Sequence, residues 1–125
     1  MSAEQNIETA KKGYSAYSAG DAETAMSFLD DDIEWITPGN SAISGTLRGK
    51  AEVGAMWMKL AEKSFTTTPE RFLGDDEVVV VLTRVTAAGG ESADEADVLT
   101  FRDGKVVKLQ SAGDTAMLER VFGTK

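Results

Sequence analysis

The feature that most constrains the fold is a change of hydrophobic period partway along the chain. Up to residue 63, with one short interruption, apolar residues recur every three or four positions, the spacing of amphipathic helices. Beyond it the chain is rich in Val, Thr, Leu and Phe in short runs broken by turn residues, the pattern of strands. In residues 4–19, Ile7, Ala10, Tyr14 and Tyr17 form one apolar stripe, and Gly20 ends the helix. Asp21 is placed to cap a second, shorter helix whose buried side is Ala22, Ala25, Met26 and Leu29. Asp30-Asp31-Asp32 reads as the close of that helix and residues 33–36 as a short strand stopped by Pro38-Gly39. Residues 40–49 read as a loop. A third helix is predicted over 50–63, with Val53, Met56, Trp57, Leu60 and Ala61 inward. Strands follow at 65–73, 78–87, 93–101 and 106–112, and a short helix at 115–122. The turn between the last two strands, Asp103-Gly104, is a strong type I′ hairpin signal.

Helices first and a meander afterwards predict an α+β fold, with three helices on one face of an antiparallel sheet and the other face left to solvent or a second subunit. At 125 residues the chain is expected to form one domain, residues 1–125. It contains no histidine and no cysteine. Cysteine nucleophiles, Ser-His-Asp triads and His-ligated metals are therefore excluded, and no metal site is expected. Any proton handling falls to carboxylates, tyrosines, amides and hydroxyls. A net charge of -8 repels phosphate backbones and anionic membranes, so neither nucleic acid nor membrane is an expected partner. The longest apolar run, residues 78–82, is far short of the roughly 20 residues that span a bilayer. The start of the chain has neither the basic nor the apolar region of a secretory signal, and the expected location is cytoplasmic.

Asp97 stands out because strand alternation places it on the apolar face with Leu99 and Phe101. With Asp103-Gly104 as a two-residue turn, counting outward puts Asp97 opposite Gln110. A four-residue loop at 89–92 puts Arg84 opposite Asp97, whereas a two-residue Gly89-Gly90 turn puts Arg84 opposite Glu95. Asp97, Arg84 and Gln110 then read either as a pocket acid tuned by a guanidinium and an amide, or as a structural ion pair. Tyr14 and Tyr17 are candidates to aim hydroxyls into a pocket from the first helix, or else core side chains with wet tips. Phe28, Trp35, Met56, Trp57, Met58, Leu99 and Phe101 are candidates to line an apolar cavity or to fill the core. Two other patterns fail on chemistry. Residues 45–51 have glycines too close together for a phosphate-binding loop and Ala51 where a hydroxyl is needed. The triple aspartate lacks the glycine and the distal glutamate of a calcium loop.

The order helix, Gly20-Asp21, helix, Trp35-Ile36-Thr37-Pro38-Gly39, a glycine-bounded segment from Gly45 to Gly49 opening a helix, Phe101-Arg102-Asp103-Gly104-Lys105-Val106 and a later Asp114 resembles the SnoaL-like family of the nuclear-transport-factor-2-like superfamily, over nearly the whole chain. The resemblance implies a cone-like curved sheet wrapped around a long helix, a pocket at the open end and, as is usual in the family, a homodimer through the sheet; it does not imply a cofactor, and none is expected. Steroid isomerases, polyketide cyclases and epoxide hydrolases share it, so the fold alone does not settle function. Compared with the steroid isomerases, Asp97 falls at the protonated acid of the oxyanion hole. The general base maps onto Ile36, which takes no proton. The oxyanion tyrosine maps onto Gly13, with Tyr14 one residue away and turned to another side of the helix. Two of three catalytic positions are thus missing, which argues against steroid isomerase activity itself. The resulting expectation is a protein that binds a small apolar molecule, as an acid-base enzyme of isomerase, cyclase or hydrolase type or as a non-catalytic ligand-binding or dimerisation module.

Overall fold

A computed structural model describes residues 2–125. The helices are α1 (Ala3–Ser18), α2 (Ala22–Ser27), α3 (Lys50–Glu62) and α4 (Thr115–Phe122), and the strands are β1 (Leu29–Thr37), β2 (Gly45–Arg48), β3 (Thr66–Gly74), β4 (Val78–Ala87), β5 (Glu91–Arg102) and β6 (Lys105–Ala112). The strands form one sheet in the order β2-β1-β6-β5-β4-β3. The predicted helices and the four-strand meander are present, and the chain forms the expected α+β cone, an open sheet not closed into a barrel. Local chemistry accounts for the element ends. Ser2 and Gln5 form a reciprocal capping box at the start of α1. The Asp21 carboxylate accepts the Thr24 N–H to start α2, and Asp114 does the same for Met117 in α4.

Three expectations change. The acidic run lies in the first half of β1 and does not end α2: the Asp30 carboxylate accepts the N–H of Asp32, and the pairing of β1 with β6 shifts across this stretch between Leu29 and Glu34. Charged side chains at an irregular strand entry look, in sequence, like a solvated helix end. The polar stretch read as a loop contains β2, which pairs antiparallel with β1. Finally, β1 runs parallel to β6, so the sheet is mixed where only antiparallel pairs were anticipated. The helix between β2 and β3 carries the chain across the cone and makes room for that pairing. On α3, Val53, Met56, Trp57 and Leu60 are buried as predicted, while Ala61 is exposed.

The Asp103-Gly104 turn has both residues at positive φ, 52° and 77°, as a type I′ hairpin requires. It pairs Arg102 with Lys105. Two residues further on, the register slips: Phe101 pairs with Val106 but Thr100 with Lys108, leaving Val107 as a bulge. Every pair beyond the bulge is displaced by one, and this displacement decides what faces Asp97.

The core lies on the concave side, where Ile33 from β1, Val79 and Val81 from β4, Leu99 and Phe101 from β5 and Leu109 from β6 meet Val53, Met56 and Leu60 of α3 and Ala10 of α1. α1 is tied to the far end of the sheet by the Asn6 side-chain amide, which donates to the Asp76 carbonyl at 3.0 Å. Ile33 is fully buried and anchors β1 to this core. Ile33→Ala is expected to lower unfolding free energy by about 3 kcal/mol, through lost burial and the cavity left behind, as read from urea denaturation.

Candidate active site

A cavity of about 120 Å³ opens between α1, α3 and the concave sheet. One wall is aromatic. Trp57 of α3 makes edge-to-face contacts with Tyr17 of α1 (ring centroids 4.9 Å apart) and with Trp35 of β1 (6.0 Å). Phe28, Leu99 and Leu109 continue the apolar lining.

The polar end is built on β5. Asp97 is 6% exposed and faces the cavity. Tyr14 reaches down from α1, and its hydroxyl donates to Asp97 Oδ2 at 2.5 Å. Its ring is held edge-on by Phe72 of β3, centroids 5.9 Å apart. Ser111 of β6 stands directly opposite Asp97, and its hydroxyl donates to Oδ1 at 3.1 Å. Glu95, two residues earlier on the same strand, lies on the same face and also lines the cavity. It packs over Gly113: a β-carbon there would lie 3.0 Å from Glu95 Cγ, so a larger residue would crowd the Glu95 side chain.

Burial raises the pKa of both acids, because the charged form is poorly solvated there. For Glu95 the neighbouring Asp97 charge adds to the effect and the value reaches about 8. For Asp97 hydrogen bonds from Tyr14, Glu95 and Ser111 oppose it by favouring the anion. Tyr14 is held well above the ordinary phenol range, by burial first and then by the Asp97 charge. Among the described residues neither acid forms an ion pair, and no basic side chain lines the cavity. The arrangement is a carboxyl pair in which Asp97 receives the outside donors and is the better anion, while Glu95 holds the proton.

Eight predicted residues line this cavity: Asp97, Tyr14, Tyr17, Phe28, Trp35, Met56, Trp57 and Leu99. Five other assignments fail, beginning with Met58, which is 70% exposed and neither lines the cavity nor fills the core. The bulge at Val107 pairs Gln110 with Val98 and turns it to the outer face, where it is exposed, so Ser111 takes its place. The hairpin between β4 and β5 has three loop residues, neither two nor four. It pairs Arg84 with Asp94, to which it is bonded at 3.0 Å on the exposed face. Strand alternation sends Trp35 and Thr37 into the cavity, and Ile36 points outward in the row of Gln110. Phe101 is buried in the core below the cavity and does not line it. Tyr14 and Gly13 both border the cavity, so the tyrosine is not turned away. Glu95, Ser111 and Thr37 were missed. Glu95 was legible, since the period-two pattern that singled out Asp97 places it on the same face. Ser111 was hidden by the bulge.

Comparison with known proteins agrees with this architecture. No curated protein matches the chain. Among solved structures it is similar to Bal32a from a soil-derived mobile gene cassette, 28% identical over 96% of this chain and 98% of that one, with a TM-score of 0.89. It is similar to an NTF2-like protein of unknown function from Burkholderia pseudomallei, 28% identical over 94% and 97%, TM-score 0.82. It shares the fold of TerC, which was co-crystallised with polyporic acid, at 24% identity over 94% and 97%, TM-score 0.83. The SnoaL-like domain model matches residues 10–109, and the chain belongs to that family.

Proposed function

We propose that the protein binds a small, mainly apolar molecule in the cavity and moves a proton at the ligand's polar end, using the Glu95–Asp97 pair and no cofactor. The observation that carries this reading is two cavity-facing acids at one end of an otherwise aromatic and aliphatic pocket. Membership of the SnoaL-like family supports the small-molecule part. A carboxyl that stays protonated near neutrality next to one that is the better anion supplies an acid and a base within one hydrogen-bonded unit, the condition for proton transfer at pH 7. Tyr14 is a positioning residue in this scheme: its hydroxyl is spent on Asp97 and selects which carboxyl is ionised. The apolar walls exclude water and strengthen each polar contact at the closed end.

The neutral ketone 2-tetralone is a suitable probe. One molecule should bind per chain by calorimetry, and in D₂O the exchange of its C1 protons, followed by NMR, should run faster than in buffer. Glu95→Gln should slow that exchange at least tenfold. Gly13→Leu should abolish both binding and exchange by filling the cavity, without loss of fold, since Gly13 is a helix-interior glycine at which a β-carbon finds its nearest contact at 3.7 Å. Binding without exchange in the wild type would leave a ligand-binding protein and remove the acid-base role.

The outer face of the sheet supports a second component of the proposal, a homodimer. Leu73, Val80, Val98, Gln110 and Ile36 form one continuous cross-strand row there, beside Leu82 and Ala96. Leu73 and Leu82 are 41% and 38% exposed, an apolar surface that no helix covers. Light scattering should give twice the 13.3 kDa of the chain, and Val80→Lys should return the monomer.

A further inference from the structure

The charge of the cavity narrows the ligand class beyond an apolar molecule. Its lining includes two carboxyls and no basic side chain, and the pair has no counter-ion among the described residues. A second, independent feature lies on the neighbouring strand. Thr37 follows Ile36, which pairs with Gln110, so Thr37 stands beside Ser111 and continues the row Asp97, Ser111 across β5, β6 and β1. It is 7% exposed and lines the cavity, and its hydroxyl makes no hydrogen bond among the described residues. A hydroxyl on a cavity-lining residue that makes no hydrogen bond within the described residues is free to pair with a ligand. Tyr14 and Ser111, by contrast, already spend their hydroxyl protons on Asp97.

What this end of the cavity offers a ligand is mostly acceptors: the Glu95 carboxyl oxygens once its proton is lost, the remaining lone pairs of Asp97, and the oxygen of the Thr37 hydroxyl, which can also donate. A group with several N–H donors and a positive charge meets all three. We infer that the natural ligand or substrate carries a primary ammonium group on an apolar body, with the ammonium held between Glu95, Asp97 and Thr37 and the body against the aromatic wall. This rests on the reading of the cavity as a ligand pocket; with an ammonium bound both carboxyls are ionised, so the pair then acts as a base alone and the acid–base unit described above applies to neutral ligands.

The proton count of binding follows. The groups facing the pair are Tyr14 from α1, Val81 and Thr83 from β4, Ser111 from β6 and Gly113 beyond it. On α4, which packs against β5, Arg120 is bound to Glu91 and approaches Asp114. None of these supplies a positive charge to the pair. An arriving ammonium ion favours two ionised carboxylates, so the proton that the pair shares leaves for solvent. Affinity for the amine should then rise with pH from 6 to 8, by up to tenfold per unit, and level off above about 8 as Glu95 ionises on its own.

Three probes of one shape test this: 3-phenylpropylamine, 3-phenylpropan-1-ol and 3-phenylpropanoate. Each is titrated calorimetrically into the wild-type protein at pH 6, 7 and 8 in buffers of different ionisation enthalpy. The amine is expected to bind at least tenfold more tightly than the alcohol at pH 8, and to release close to one proton at pH 7. Its affinity should climb with pH while that of the alcohol stays flat. Glu95→Gln should remove the proton release and the pH dependence, and Thr37→Val should weaken the amine more than the alcohol. Equal affinity for amine and alcohol, or tighter binding of the carboxylate, overturns the ammonium assignment and leaves the pocket reading standing. Failure of all three probes to bind overturns both.

Discussion

The hydrogen bond from Tyr14 to Asp97 joins the first helix to the middle of the sheet, and the polar end of the cavity is organised around it. A carboxyl that is 6% exposed loses most of its hydration, a cost the protein meets with donors from two other elements, Tyr14 on α1 and Ser111 on β6. Removing either donor would leave the acid underpaired, so the placement of α1 across β3 and β4 and the register of β5 against β6 both answer to this one side chain. Burial and the neighbouring Asp97 charge both push Glu95 toward its protonated form. The paired acid is thus a consequence of burial, and it is also what gives the cavity its chemistry.

Much of this was legible in the amino-acid sequence, for physical reasons that can be named. The helices announced themselves through apolar periodicity and caps, with Asp21 and Asp114 each accepting a backbone N–H at the expected position. Asp97 was visible because an acid among alternating apolar strand residues must face inward. The partners of Asp97 were less accessible. A β-bulge is a local event with no compositional signature, and the one at Val107 exchanges Gln110 for Ser111. The length of a glycine-rich hairpin is equally silent: Ala88-Gly89-Gly90 serves as a three-residue loop, and the odd count places Arg84 against Asp94 instead of against either cavity acid. The absence of that guanidinium matters, since it would have held Asp97 as a simple ion pair.

The mapping from steroid isomerases failed for a related reason. Anchoring the general base on Ile36 assumed that equal spacing from a proline-glycine turn conserves the strand face, but alternation puts Trp35 and Thr37 inside. The cavity receives its second carboxyl from β5, adjacent to the first, and not from the opposing strand. The two carboxyls therefore lie at one end of the cavity, with Ser111 and Thr37 on the same cross-strand row as Asp97. The helices lie on the concave side, and the outer face of the sheet carries exposed Leu73 and Leu82 beside polar side chains such as Gln110 and Arg84.

The most direct test of the account is a ¹³C NMR titration of the Glu95 and Asp97 carboxyl carbons, in the wild-type protein and in Tyr14→Phe. The account predicts that both signals shift across the same two pH steps, that the Glu95 signal moves chiefly in the step near 8, and that loss of the tyrosine hydroxyl raises the pKa of Asp97 further. Two independent titrations at ordinary carboxylate values, unchanged by Tyr14→Phe, would contradict it.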